Sequence, residues 1–188
     1  MPAVEERYSV WEFEPLAVYH QPPPKLANPK DFDRDDIEFK RGDRIDVEVP
    51  VARFVADPGQ KLNDYLFNIP AWPLCSGKLR QALEQAGLQN VQYFPAQVVA
   101  KDGRTLSSDY SVANFLGRAK CLDWENSVVD PTYRADGLAI HIDKLALDTR
   151  AIQGRKLFRM EENSTVLLVA QGLRARIESL GITGVRFT

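Results

Sequence analysis

The pattern of apolar and polar positions picks out two copies of one short unit. Residues Ser76 to Tyr93 read S-G-K-L-R-Q-A-L-E-Q-A-G-L-Q-N-V-Q-Y, and Ala170 to Phe187 read A-Q-G-L-R-A-R-I-E-S-L-G-I-T-G-V-R-F. At a constant offset Leu79-Arg80 falls on Leu173-Arg174, Leu83-Glu84 on Ile177-Glu178, Gly87 on Gly181, Val91 on Val185 and Tyr93 on Phe187. Leu79, Ala82, Leu83 and Ala86, like Leu173, Ile177 and Leu180, recur at the spacing of one helix face, so each copy predicts an amphipathic helix. Gly87 and Gly181 stand where a left-handed C-cap is best served by a residue without a Cβ. The V-x-Y and V-x-F beyond them have the period of two of a strand. Ser76 is placed to cap the first helix, whereas the second has Ala170 there and no evident cap.

The rest of the chain reads mainly as strands and loops. Tyr8 to Tyr19 is an extended segment ended near Pro15, and Gln21-Pro22-Pro23-Pro24 stiffens the backbone after it. From Arg44 to Phe54, Ile45, Val47 and Val49 alternate inward against Asp46 and Glu48, which predicts a half-buried strand. Lys61 to Phe67 fits a short helix, and Asn68 to Leu74 a loop with Trp72 between two prolines. Val91 to Ala100 is a strand whose Pro95 demands an edge or a bulge. Tyr110 to Leu116 is another, and Cys121 to Gly137 is a surface excursion. Leu138 to Leu147 reads as a strand with His141 and Asp143 on one face, and 156–160 with 165–169 as a hairpin. Together these predict a single α+β domain, two helix–Gly–strand units packed on a mixed or antiparallel sheet. Residues 1–43 form an N-terminal strand with a proline-rich, acidic arm, and 44–188 the α+β body.

Composition narrows the function. With a net charge of −2 and a pI near 5.8, the chain is no nucleic-acid binder of the overall-electrostatic kind. No run approaches the roughly 18 apolar residues of a membrane span, and the start lacks a signal-peptide pattern, so a soluble cytoplasmic protein is expected. Charge is uneven. Residues 31–48 hold eight acids and four bases, net −4, and 154–188 hold six bases and three acids. Pairing of the two segments would account for both.

Candidate chemistry is sparse. Asp31-x-Asp33-x-Asp35 opens like a calcium loop, but the sixth position is Asp36 instead of Gly and the twelfth is Gly42 instead of Glu. No metal or cofactor is therefore expected. Cys75 and Cys121 are too few for a disulfide framework and read as reduced, semi-buried thiols. Cys75 opens a predicted helix, where the dipole could activate a thiol, yet neither His20 nor His141 has a recognisable relation to it. The serine elbow fails because Leu74 stands at its first glycine, and phosphate-binding glycine loops are absent. Trp11 reads as core, while Trp72 and Trp124, in loops, are equally suited to anchoring a protein partner.

The passages P-L-C-S-G-K-L-R-Q-A-L-E-Q-A-G-L-Q-N-V-Q-Y-F-P-A-Q-V, Y-S-V-A-N-F-L-G-R-A-K-C-L-D-W-E-N-S, K-L-F-R-M-E-E and L-R-A-R-I-E-S-L-G-I-T-G-V-R-F, in that order, resemble the bacterial polymorphic-toxin immunity protein family eleven over about Trp72 to Thr188. The resemblance implies a cytosolic α+β protein that protects its producer by binding a toxin domain. It carries no catalytic residues. On this reading Asp33, Asp35, Asp36, Trp72, Trp124, Glu125 and Asp130 are the expected partner-binding residues, the acids steering a basic toxin surface. A small hydrolase or transferase using Cys75, and an adaptor or structural protein without a toxin partner, are the alternatives.

Overall fold

A computed structural model describes residues 7–14, 22–131, 134–135, 137–139, 141–152 and 154–188, the side chains of 134 and 135 excepted. Pro15, His20 and Gln21 lie outside the described residues. The strands and helices in chain order are β1 Tyr8–Phe13, β2 Lys25–Leu26, β3 Ala52–Val55, β4 Tyr65–Leu66, β5 Leu74–Ser76, α1 Gly77–Gln85, β6 Val91–Val99, β7 Thr105–Phe115 and β8 Arg118–Ala119. They continue with β9 Val128–Val129, β10 Arg134–Ala135, β11 Leu138–Ala139, β12 Ile142–Lys144, β13 Leu157–Met160, β14 Leu167–Ala170, α2 Gln171–Ser179 and β15 Val185–Phe187.

Both helices form where the repeat places them. Ser76 ends β5 in an extended conformation and its Oγ accepts a hydrogen bond from the Leu79 N–H, satisfying one orphan donor of α1. Ala170 ends β14 with nearly the same backbone and supplies no such cap. Each helix then stops at a left-handed glycine, Gly87 (φ 74°) and Gly181 (φ 60°). The next amides, of Leu88 and Ile182, reach back to the carbonyls of Leu83 and Ile177. Arg80 lies over the Tyr93 ring at 4.7 Å and pairs with Glu84 at 2.8 Å. At the equivalent positions Arg174 lies over Phe187 at 5.5 Å and pairs with Glu178 at 2.9 Å. Cation–ring contact and an i,i+4 pair thus fasten each helix to its own strand.

The repeat extends to the topology. Beside the strand pairs β10-β11 and β12-β9, one large sheet runs β2-β3-β6-β7-β5-β4 and the other β15-β1-β14-β13-β8. β5 and β6 both pair antiparallel with β7 between them, so they are parallel to each other and joined by α1. β14 and β15 likewise flank β1 and are joined by α2. The order β6-β7-β5-β4 is therefore repeated as β15-β1-β14-β13. In the first unit the middle strand comes next in the chain, and in the second it comes from the N-terminal end.

One face of each sheet meets a shared core. Trp11, Leu167 and Val169 from one sheet, Cys75, Ala113 and Phe115 from the other, and Leu79, Leu83, Leu173 and Ile177 from the helices form one cluster. The opposite face of the six-stranded sheet is covered by the acidic segment, whose Phe32, Ile37, Phe39 and Ile45 pack on Phe54, Val98 and Val112. The opposite face of the five-stranded sheet is covered by residues 119–152, with Cys121, Leu122, Ala139 and Ile152 on Phe158, Met160 and Leu168. The halves are also tied through Asp64. Its carboxylate accepts from the Thr183 N–H and hydroxyl, both at 3.0 Å, and from the Ser76 hydroxyl at 2.7 Å. Gly184 passes so close to the Tyr65 carbonyl and Asn63 that a Cβ has no room there.

Several elements differ from the sequence reading. Residues 44–50 alternate in burial as expected but join no ladder, because the Ile45 amide and carbonyl are taken by the side-chain amide of Gln92, both at 2.9 Å, and β3 starts only at Ala52. Lys61 to Phe67 is not helical, since Tyr65 and Leu66 pair with Cys75 and Leu74. β6 is an inner strand. β3 pairs with it only from Ala96 onward, so Pro95 occupies the stretch left open on that side, and the register shifts come just after it. The predicted strand Leu138 to Leu147 is broken into β11 and β12, which pair with different partners. The 156–160 and 165–169 hairpin forms as β13 and β14.

Candidate partner-binding site

The cysteines are the simplest candidates to place. Cys75 is buried in the shared core and Cys121 beneath the second cover. Burial pushes the Cys75 thiol far above its ordinary range and the Cys121 thiol, with Glu162 adding to the effect, up to about 12. Both stay as thiols at neutral pH, and Cys75 lacks the access a nucleophile needs. His141, just ahead of β12, pairs with Asp143 at 3.2 Å, and both side chains are exposed whereas Cys75 lies in the core.

The expected binding residues fall into two groups. Asp33, Asp35 and Asp36 lie exposed on the first cover. Trp72 stands half-buried behind them, its ring 5.0 Å from Phe32 and 4.8 Å from Phe39. Trp124, Glu125 and Asp130 belong to the second cover. Trp124 packs partly buried on its cluster, the Glu125 N–H donates to Asp123, and the Asp130 N–H donates to the His141 carbonyl. An open polar cleft of about 530 Å³ lies there between Leu122, Asp123, Trp124, Glu125, Asp148 and Arg150. The covers sit on the faces of the two sheets turned away from the shared core, so the fold does not bring the two groups together.

The acids of the first cover do not pair with the basic C-terminal stretch as expected. Their ion pairs are local or reach β8: Asp36 with Arg34 at 2.7 Å, Asp46 with Arg44 at 2.7 Å and Asp43 with Arg118 at 2.9 Å. The Arg34 hydrogen bond holds Asp36 below the usual carboxylate range. Among the described residues Asp33 and Asp35 take no ion pair. The basic stretch meets this segment through Arg159 instead, which is buried and donates to the Phe39 and Ser164 carbonyls. Burial lowers its pKa. It acts as a hydrogen-bonding latch for the cover.

Sequence reasoning missed the residue beside Trp72. Ile69 is 57% exposed, more than Val51, Val128, Leu138 or Leu180, the other exposed large apolar residues described. It sits at the tip of the β4–β5 connection, held by Asn68. That buried amide donates to the Leu66 and Trp72 carbonyls and accepts from the Trp72 N–H. Ala71 has φ 52°, the one positive value among the described non-glycine residues. The signal available in the sequence was Asn68-Ile69-Pro70, an asparagine able to hydrogen-bond the backbone ahead of a proline-stiffened tip.

The sequence model of the immunity protein family (Imm11) matches residues 12–188. No curated protein matches the chain.

Proposed function

Because the chain belongs to the immunity protein family (Imm11), we propose that it neutralises a cognate bacterial toxin of a polymorphic toxin system by binding it directly, in the cytoplasm of the producing cell. The family match over nearly the whole chain carries the reading. It begins at Glu12, near the end of β1, and runs through β15. The burial of both cysteines favours binding over a thiol-dependent reaction. No described helix is long and apolar enough to cross a membrane.

Neutralisation by binding calls for a surface of standard size with a few anchoring side chains and a charged rim. Two surfaces offer themselves, one with Asp33, Asp35, Asp36 and Trp72, the other with Trp124, Glu125 and Asp130. The test is co-expression with the toxin domain encoded beside this chain, scored by survival and by one-to-one complex formation. Rescue with a stable complex is expected. Rescue without a complex would overturn binding and point to repair of the toxin's damage.

A further inference from the structure

We infer that the toxin docks where the β4–β5 connection meets the first cover, with Ile69 as its apolar anchor and Asp33 and Asp35 as its charged rim. The inference rests on the neutralisation reading and chooses between its two surfaces. Its partner is a toxin domain with a shallow apolar socket flanked by lysines or arginines, the kind of groove that grips a nucleic-acid backbone.

Ile69 is presented rather than left over. Its own N–H is tied to the Pro24 carbonyl at 3.0 Å, the Ala71 N–H closes the turn onto Asn68 at 2.9 Å, and Lys40 reaches the Pro70 carbonyl at 3.4 Å. A tip fixed at its base, middle and flank loses little freedom when it enters a socket. From Pro24 the chain runs through β2 to Asn28, whose amide donates to Asp31 at the start of the acidic segment. Trp72 supports the tip from beneath through Phe32, Phe39 and Phe54. Asp33 follows Phe32, whose ring packs against Trp72, and among the described residues neither Asp33 nor Asp35 takes an ion pair. An apolar centre with a charged rim is the arrangement that concentrates binding energy in one or two side chains. The second cover also exposes Val128 and Leu138, but these stand on two separate short strand pairs, and its cleft at Trp124 is polar, with Asp148 already paired to Arg150.

Purified toxin domain would be titrated against the full chain and three variants, with affinity and association rate measured at low and high salt. Ile69→Arg should weaken the complex at least about thirtyfold while leaving the unfolding midpoint unchanged. Asp33→Lys with Asp35→Lys should slow association roughly tenfold at low salt and much less at high salt. Leu180→Arg, an exposed apolar residue at the end of α2, should bind as the unaltered chain does. Ile69→Arg binding within threefold of the unaltered chain would overturn this surface while leaving neutralisation by binding intact. Loss of binding on Glu125→Lys alone would move the interface to the second cover. An unaltered chain that does not bind would remove both this surface and the reading beneath it.

Discussion

Asp64 shows how a single side chain can join parts distant in sequence. Its carboxylate is 15% exposed and receives hydrogen bonds from Ser76 and from two groups of Thr183, with Lys78 at 3.7 Å. Burial alone would raise its pKa, but the bonds from Thr183 and Ser76 and the nearby Lys78 outweigh it, and the net shift is downward. A carboxyl depressed in the native state stabilises it above the ordinary value of 3.8, and that stabilisation is lost as pH falls through the native value. Asp64→Asn should therefore cost about 1–2 kcal/mol near pH 7. The gap between variant and unaltered chain should narrow at pH 3, as urea unfolding at both pH values would reveal. A gap of constant size would assign the effect to shape instead of charge. Nothing in the local sequence N-D-Y announces this role, because the partners lie 12 and 119 residues away. Arg159 is similar. It read as one base among six, and burial against two carbonyls makes it a latch.

Among the elements, the helix–glycine–strand units were the most legible, since helical period, glycine stop and strand alternation are all local signals. The missing cap was legible too, and it permits a direct comparison. Ser76→Ala should cost about 1 kcal/mol or somewhat more, since it removes a helix cap and the bond to Asp64 together. Ala170→Ser places a hydroxyl on nearly the same backbone conformation and should add about 0.5–1 kcal/mol, read as a shift in the denaturant midpoint. Destabilisation by that change would mean that the buried site at Ala170 cannot orient the hydroxyl toward Leu173. The elements that misled the sequence reading share one cause. Alternation at 44–49 specifies which side chains are buried but not what the backbone bonds to, and a side-chain amide from Gln92 took the place of a neighbouring strand. At 61–67 a short helix was compatible with the local sequence, but a ladder to β5 took Tyr65 and Leu66.

The whole molecule is two copies of one strand order, with their helices in a common core and a long irregular cover on each outer face. The expected surfaces are these covers, and their separation could not be read from sequence because it depends on which sheet each segment lies on. The second copy depends on β1, whose residues pair with β14 on one side and β15 on the other. Removing residues 1–13 would split that sheet and leave the inner edges of β14 and β15 bare. The shortened chain should lose its cooperative unfolding transition, monitored by near-ultraviolet circular dichroism during heating. Retention of a sharp transition would mean that β15 can close directly on β14. The position of β1 also sets a schedule. Its side chains leave the ribosome before those of the other described strands, yet Phe187, opposite Trp11, is added about 175 residues later, a wait of roughly ten to thirty seconds at ordinary rates of synthesis. During that interval the segment Y-S-V-W-E-F is a solvent-exposed, aggregation-prone stretch for a chaperone to shield. The first copy, contiguous from β4 to β7, can assemble meanwhile, so the newborn protein passes through a stage in which one half is built and the other is waiting for its last strand.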